Sequence, residues 1–221
     1  MKKLIIAILA SMPISVMAQS NVWEIPEEQQ VQEHIEKQHK AAKEKQQENP
    51  KYLAGAVPET EGHVVFTLDK DVPGMSAEDI YNKVYVVMQE VVNESKDKEL
   101  VPESRIAAVN KAEHSIAARI KEWLVFSSNF ISLDRTEFNY TLVARISDGH
   151  VNMTLERINY AYETKRGNNQ GLRVKAEEWI TDKEALSKNC LKLRKANGKF
   201  RKKTIDRKDN IFGRICKALA I

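Results

Sequence analysis

The chain is 221 residues long, 30% of them charged, with a formal net charge of +4 that falls to +2 without Lys2 and Lys3. Such a balance gives no global reason to expect nucleic acid as a partner, and eight glycines are few for loops that cradle phosphates. Once an N-terminal leader is set aside, about 200 residues remain, enough for one domain of ordinary size.

Residues 1–18, MKKLIIAILASMPISVMA, join a Lys2-Lys3 head to an apolar run from Leu4 to Ala10 and end in Val16-Met17-Ala18. The run is too short to cross a bilayer and the ending suits a signal peptidase, so a signal peptide cleaved at about Ala18 is expected. No cysteine stands directly after that point, so a lipid anchor is not indicated, and no later segment is apolar enough to span a membrane. The expectation is therefore a periplasmic or secreted protein, not an integral membrane protein. Residues 19–60 read as a charged Glu/Gln/Lys-rich spacer, helical or disordered. Between Asn21 and Pro50 the aliphatic residues larger than Ala are Val22, Ile25, Val31 and Ile35, too few to bury much surface.

Residues 61–221 are expected to form an α+β domain that includes the C-terminal helices. It opens with HVVFTLD, where Val64, Phe66 and Leu68 alternate as a strand. Pro73-Gly74 makes a turn, and Ser76 with Asp79 resembles a capping box before a helix. Ile80, Val84, Val87, Met88 and Val91 lie three or four apart and form one apolar stripe. SRIAAVN reads as a strand. EHSIAARIKEWLVF fits either a helix or a strand, and local pattern does not decide between them.

Asp148-Gly149 is a hairpin signal of the type I′ kind. Pairing outward from it sets Ile146 against Val151, Ala144 against Met153 and Leu142 against Leu155, all on one face. Beyond Leu155 the apolar parity shifts by one, to Ile158, Tyr160 and Tyr162. A β-bulge near Glu156-Arg157 restores the register, with Tyr140 facing Ile158 and Phe138 facing Tyr160. The polar face then carries Arg145, Asn152 and Thr154 as neighbours, with Thr141 and Glu156 beside them. Such a mixed donor and acceptor surface suits a polar ligand, and equally suits the wet side of any antiparallel sheet.

TKRGNNQGLR reads as a loop. Thr181-Asp182-Lys183-Glu184 is a capping box for a short helix. Asn197-Gly198 is expected to break the chain before a final helix that presents Ile211, Phe212, Ile215 and Leu219. Leu191 to Asn210 holds nine Lys or Arg against two Asp, including Lys199, Arg201, Lys202 and Lys203. That run is either a basic patch for an anionic envelope polymer, lipid headgroups or an acidic partner, or a solvated turn. Cys190 and Cys216 are the two cysteines, and export permits a disulfide between them or leaves two thiols.

The leader, VPGMSAEDIYNKV, the SDGHVNMTLERINYAYE hairpin and AEEWITDKEAL together resemble an uncharacterised exported family typical of Bacteroidetes. That family is described as a domain of unknown function with a TATA-binding-protein-like fold. The resemblance implies an antiparallel sheet with helices packed on one face, as a single strand-helix-strands-helix repeat. It also implies that Ser115 to Phe126 is a strand. It supplies no function, and shared fold does not carry shared activity.

No metal ligands are expected, because none of the five histidines stands beside another His, Cys or carboxylate at ligand spacing. Nucleophile elbows, phosphate-binding loops and dinucleotide fingerprints are absent from the sequence, so no cofactor is expected. The resulting expectation is a non-catalytic binding or interaction module whose partner is an envelope protein or anionic envelope polymer. A hydrolase working through carboxylates and a carrier of apolar ligands are the alternatives.

Overall fold

Six antiparallel strands form one sheet in the computed structural model, which describes residues 48–128, 133–163 and 171–221. A small hairpin of β1 (Glu59–Thr60) and β2 (His63–Val64) stands beside it. The sheet comprises β3 (Phe66–Asp71), β4 (Arg105–Asn110), β5 (Ser115–Ser128), β6 (Leu133–Ser147), β7 (His150–Tyr162) and β8 (Leu172–Lys175). Its order is β3-β7-β6-β5-β4. β3 and β8 share one edge of β7, pairing with His150–Leu155 and Asn159–Tyr162 respectively. Among the described residues the α-helices are α1 (Ala77–Glu94), α2 (Asp182–Ala185) and α3 (Lys195–Leu219).

Alternation decides which face is covered. Ile116, Ala118, Ile120, Leu142, Ala144, Val151, Met153 and Leu155 all point into one core. From the helices, α1 contributes Ile80, Val84, Val87, Met88 and Val91, while α3 contributes Phe200, Ile205, Ile211, Phe212, Ile215 and Leu219. Each large aliphatic side chain buried this way contributes roughly 1.5–3 kcal/mol relative to exposure. Tyr52 and Val57 belong to the same core, so residues ahead of position 61 take part in the fold.

Ser115–Ser128 is a strand, as the family resemblance implied. Register follows the expected pairs, with Ile146 opposite Val151, Ala144 opposite Met153 and Leu142 opposite Leu155. The bulge lies where parity required it: pairing passes from Thr141–Glu156 to Asn139–Asn159, leaving Arg157 and Ile158 together opposite Tyr140. Arg157 takes a left-handed φ of 56° to make it. Phe138 faces Tyr160, their rings stacked at 5.5 Å. A second irregularity lies between Ile106 and Ala108 in β4.

Four local expectations change. The hairpin turn is not type I′, since Gly149 has φ 69° while Asp148 is not among the positive-φ residues. Asp148 instead turns its carboxylate to the start of α1, where Oδ1 accepts from the Ala77 N–H at 2.8 Å. Helix α2 starts after Thr181, but that hydroxyl donates to the Glu177 carbonyl (3.5 Å) and closes no capping box. Asn197-Gly198 does not break the chain: both lie within the first turn of α3. The end of the expected 164–173 loop, Leu172 and Arg173, belongs to strand β8, and positions 164–170 lie outside the described residues.

Helix α3 is fastened to the sheet by ionic contacts as well as by packing. Arg207 donates from Nε and Nη2 to the two oxygens of Glu122 at 2.9 and 2.8 Å, and the Tyr140 hydroxyl donates to Oε1 at 2.7 Å. Glu122 is 9% exposed, so this forked pair supplies the bonds that a buried carboxylate requires.

Candidate functional site

Among the described residues the helices lie on one face of the sheet and no helix lies on the other, although Lys121, at one end of that face, is largely covered and donates to the Val101 carbonyl at 2.9 Å. The side chains of that face run in rows across the strands. One row is Ser115, Arg145, Asn152 and Asp69, and the next is Ala117, Val143, Thr154 and Thr67. Beyond these come Arg105, Arg119, Thr141 and Glu156, then Lys121, Asn139, Asn159 and Lys175.

The surface is not flat. A concavity of about 310 Å³ opens between the last two rows, lined by Arg119, Asn139, Tyr140, Thr141, Arg157 and Asn159. Strand β5 supplies Arg119, β6 supplies Asn139, Tyr140 and Thr141, and the bulged part of β7 supplies Arg157 and Asn159. The bulge creates the dent by pushing Arg157 out of register, and the Asn159 side chain donates to the Arg157 carbonyl at 3.2 Å to hold it there. Arg157 is 81% exposed, and its Nε lies 3.7 Å from Glu156.

The structure brings Arg145 and Asn152 together as directly opposed cross-strand partners. Thr154 is a row away and buried, its hydroxyl donating to Glu156 Oε2 at 3.1 Å. The concavity lies further along the sheet, and sequence reasoning did not single out Arg119, Asn139, Arg157 or Asn159. The signal that could have found them was the bulge itself, combined with a strand assignment for Ser115–Phe126 that local pattern left open.

The expected basic patch comes apart. Arg201 is fully buried: Nε donates to the Tyr52 carbonyl (2.7 Å), Nη1 to the Ile180 carbonyl (2.8 Å), and Nη2 to the Leu53 carbonyl (2.5 Å) and Asp182 Oδ1 (2.6 Å). Lys199 donates to Asp134 Oδ2 at 2.8 Å, with its ammonium 4.5 Å from the Phe126 ring and 4.6 Å from Tyr162. Lys202 is exposed near the Tyr52 ring and Lys203 is half-buried. Cys190 and Cys216 are free thiols, one in the turn after α2 and the other on α3, so the bridge is not formed.

A histidine does meet carboxylates, through strand pairing that the sequence does not reveal. His150 lies with Nε2 2.7 Å from Asp69 Oδ1 and Nδ1 3.0 Å from Asp71 Oδ1. The Asp71 hydrogen bond, helped by the Asp69 charge, raises the imidazole above its usual pKa. Asp69 and Asp71 are exposed at the end of the sheet and His150 is partly exposed between them. Among the described residues, no group of three or more His, Cys, Asp or Glu is arranged to hold a metal ion.

A groove of about 650 Å³ runs between α1 and α3, with Val86, Val87 and Ala218 along it and Lys83, Glu90, Arg214 and Lys217 at its rim. Its lining comes from the helices alone, so it is an outer groove and not a chamber between helices and sheet. Among the described residues, no helix is long and apolar enough to cross a membrane.

An antiparallel sheet in this order, covered on one face by α1 and α3, defines an α+β domain of the TATA-binding-protein-like class. The chain belongs to the family described as a domain of unknown function (DUF4468) with TBP-like fold, which residues 66–161 match. The crystal structure of a DUF4468 family protein from Bacteroides ovatus ATCC 8483 is 38% identical, with a TM-score of 0.70 over 79% of this chain and 96% of that one. A TBP-like protein from Parabacteroides distasonis ATCC 8503 is 21% identical, with a TM-score of 0.59 over 74% of this chain and 97% of that one. At that lower identity the likeness concerns the fold alone. No curated protein matches the chain.

Proposed function

We propose that this protein is an exported, periplasmic binding module without catalysis, and that the face of its sheet opposite the helices is the binding surface. The observation that carries the reading is the row structure of that face. Arg145, Asn152, Arg119, Thr141 and Asn139 stand on three adjacent strands, held by the ladder and by the core beneath. Side chains fixed on strands lose little freedom when they bind, so a polar partner meets a prearranged surface. The leader at residues 1–18 supports export, and an envelope protein or anionic envelope polymer is the partner that export makes available.

Capture of partners from the native envelope by the mature chain tests this. Arg145→Ala together with Asn152→Ala leaves the melting temperature within a degree or two, because both side chains are at the surface. The partner retained by the parent protein is lost from the double variant. Retention of every partner by a folded double variant overturns the surface assignment. Turnover of envelope glycans or peptides that a single point substitution abolishes overturns the non-catalytic reading.

A further inference from the structure

We propose that the concavity beside the β7 bulge is an oxyanion site, which holds a carboxylate or phosphate carried by a small hydroxylated molecule or by the end residue of a polymer. The proposal rests on the reading of the face opposite the helices as a binding surface and gives that surface a ligand class.

Three observations converge on it. Arg105 and Arg119 are directly opposed on β4 and β5, on the same face. Like charges in that position destabilise a sheet, and neither guanidinium has an acidic partner among the described residues. Secondly, Arg157 adopts a left-handed backbone that side chains other than glycine rarely take. Bulges of this kind re-aim a side chain, and this one sends a guanidinium to the rim of the concavity. The third observation is what lies between the two arginines. Arg119 and Arg157 stand two strands apart, roughly 10 Å at the backbone, and the floor between them on β6 is the Thr141 hydroxyl and the Asn139 amide.

Arg119 and Arg157, both on the border of the concavity, supply forked donors for an oxyanion. The amides of Asn139 and Asn159 and the Thr141 hydroxyl both donate and accept, which suits hydroxyl groups beside the charge. A volume of about 310 Å³ accommodates one small molecule or one residue of a chain. Tyr140 borders the concavity, yet its ring is buried on the covered side with its hydroxyl on Glu122, so no aromatic platform is offered. A nucleobase or other flat aromatic ligand is thereby disfavoured. The neighbouring carboxylate, Glu156, is occupied by Thr154 at 3.1 Å and stands 3.7 Å from Arg157 Nε, a contact that a bound anion replaces.

Calorimetric titration of the full mature chain at low salt, with glucuronate, glucose 6-phosphate and glucose as probes, tests the site. At least one of the anions binds, and glucose binds at least about tenfold more weakly, the cost of losing one charge-assisted contact. A preference for glucuronate identifies a carboxylate ligand, and a preference for glucose 6-phosphate a phosphate. Arg119→Ala and Arg157→Gly each weaken the anion by at least about tenfold. Glycine is chosen at 157 because it accepts the left-handed backbone without strain, so the bulge survives. Lys203→Ala, on α3, leaves the affinity unchanged. Equal binding of glucose, no binding of either anion at tens of millimolar, or parental affinity in both arginine variants overturns the proposal. Those failures leave the Arg145–Asn152 capture result standing, so loss of this site and loss of the broader reading are told apart.

Discussion

Asp148 Oδ1 accepts a hydrogen bond from the Ala77 N–H at 2.8 Å, so the tip of the β6–β7 hairpin caps the first turn of α1. The same tip is tied twice more: the Val72 N–H donates to the Gly149 carbonyl at 2.7 Å, and the Gly149 N–H donates to the Met75 carbonyl at 3.0 Å. A turn carboxylate thus satisfies a helix-start N–H 71 positions away. Ser76 supplies the local cap, its Oγ accepting from the Asp79 N–H at 3.2 Å, and a negative charge at this end also favours the helix dipole. Asp148→Ala is expected to cost about 1 kcal/mol in urea unfolding. Asp148→Asn, which keeps an acceptor oxygen, recovers at least half of it.

Arg201→Met tests whether α3 is basic surface or core. The side chain is fully buried and serves three backbone carbonyls and Asp182. Its removal takes their donor from the buried Tyr52 and Ile180 carbonyls, leaves the Leu53 carbonyl and Asp182 with only the Ala56 and Gly55 N–H groups, and is expected to cost about 3–5 kcal/mol, read as a lower denaturant midpoint. Arg201→Lys does not restore the parent, since an ammonium lacks the fork that spans these acceptors.

Gly198→Ala is expected to destabilise the chain by about 1–3 kcal/mol in the same assay. A β-carbon built there lies 2.7 Å from the Leu193 Cβ, too close for either to keep its place. The obstructing atom is itself a β-carbon, so Leu193→Ala brings no relief.

Alkaline pH separates the tyrosines. Burial, with Glu122 close by, pushes the Tyr140 phenol well above its usual range, and burial does the same to Tyr160 beside Thr204. A phenol whose folded pKa exceeds its unfolded value of about 10 stabilises the fold fully below that pH, and the stabilisation fades as pH climbs toward the folded value. Ultraviolet titration is therefore expected to show these two phenols ionising only as the sheet's circular dichroism is lost. Tyr140→Phe removes one of the late phenols from the titration.

The parts of the fold that were legible in the sequence are those where periodicity carries the information. The stripe from Ile80 to Val91, the pairs flanking Gly149 and the one-residue parity shift at Arg157 all follow from which side chains must face the core. What remained hidden depends on contacts between distant segments. Asp148 looked like half of a type I′ turn because its helix partner, Ala77, is far away in sequence. The four-residue strand Leu172–Lys175 is too short for alternation to register. Arg201 was masked by neighbouring lysines, although it lies on the helical phase that joins Ile205 to Ile215. Taking Asn197-Gly198 as a break stopped that phase from being followed back. The concavity needed three strands in register, one of which, Ser115–Ser128, the residues alone did not distinguish from a helix.

The kink between Ile106 and Ala108 bears on how copies of this protein behave in crowded solution. An outermost strand with bare amides and carbonyls is a template for another chain, and Arg105–Asn110 forms such a rim. Its interrupted spacing and the charge of Arg105 deny an incoming strand a straight ladder, features that work against edge-on stacking into fibrils.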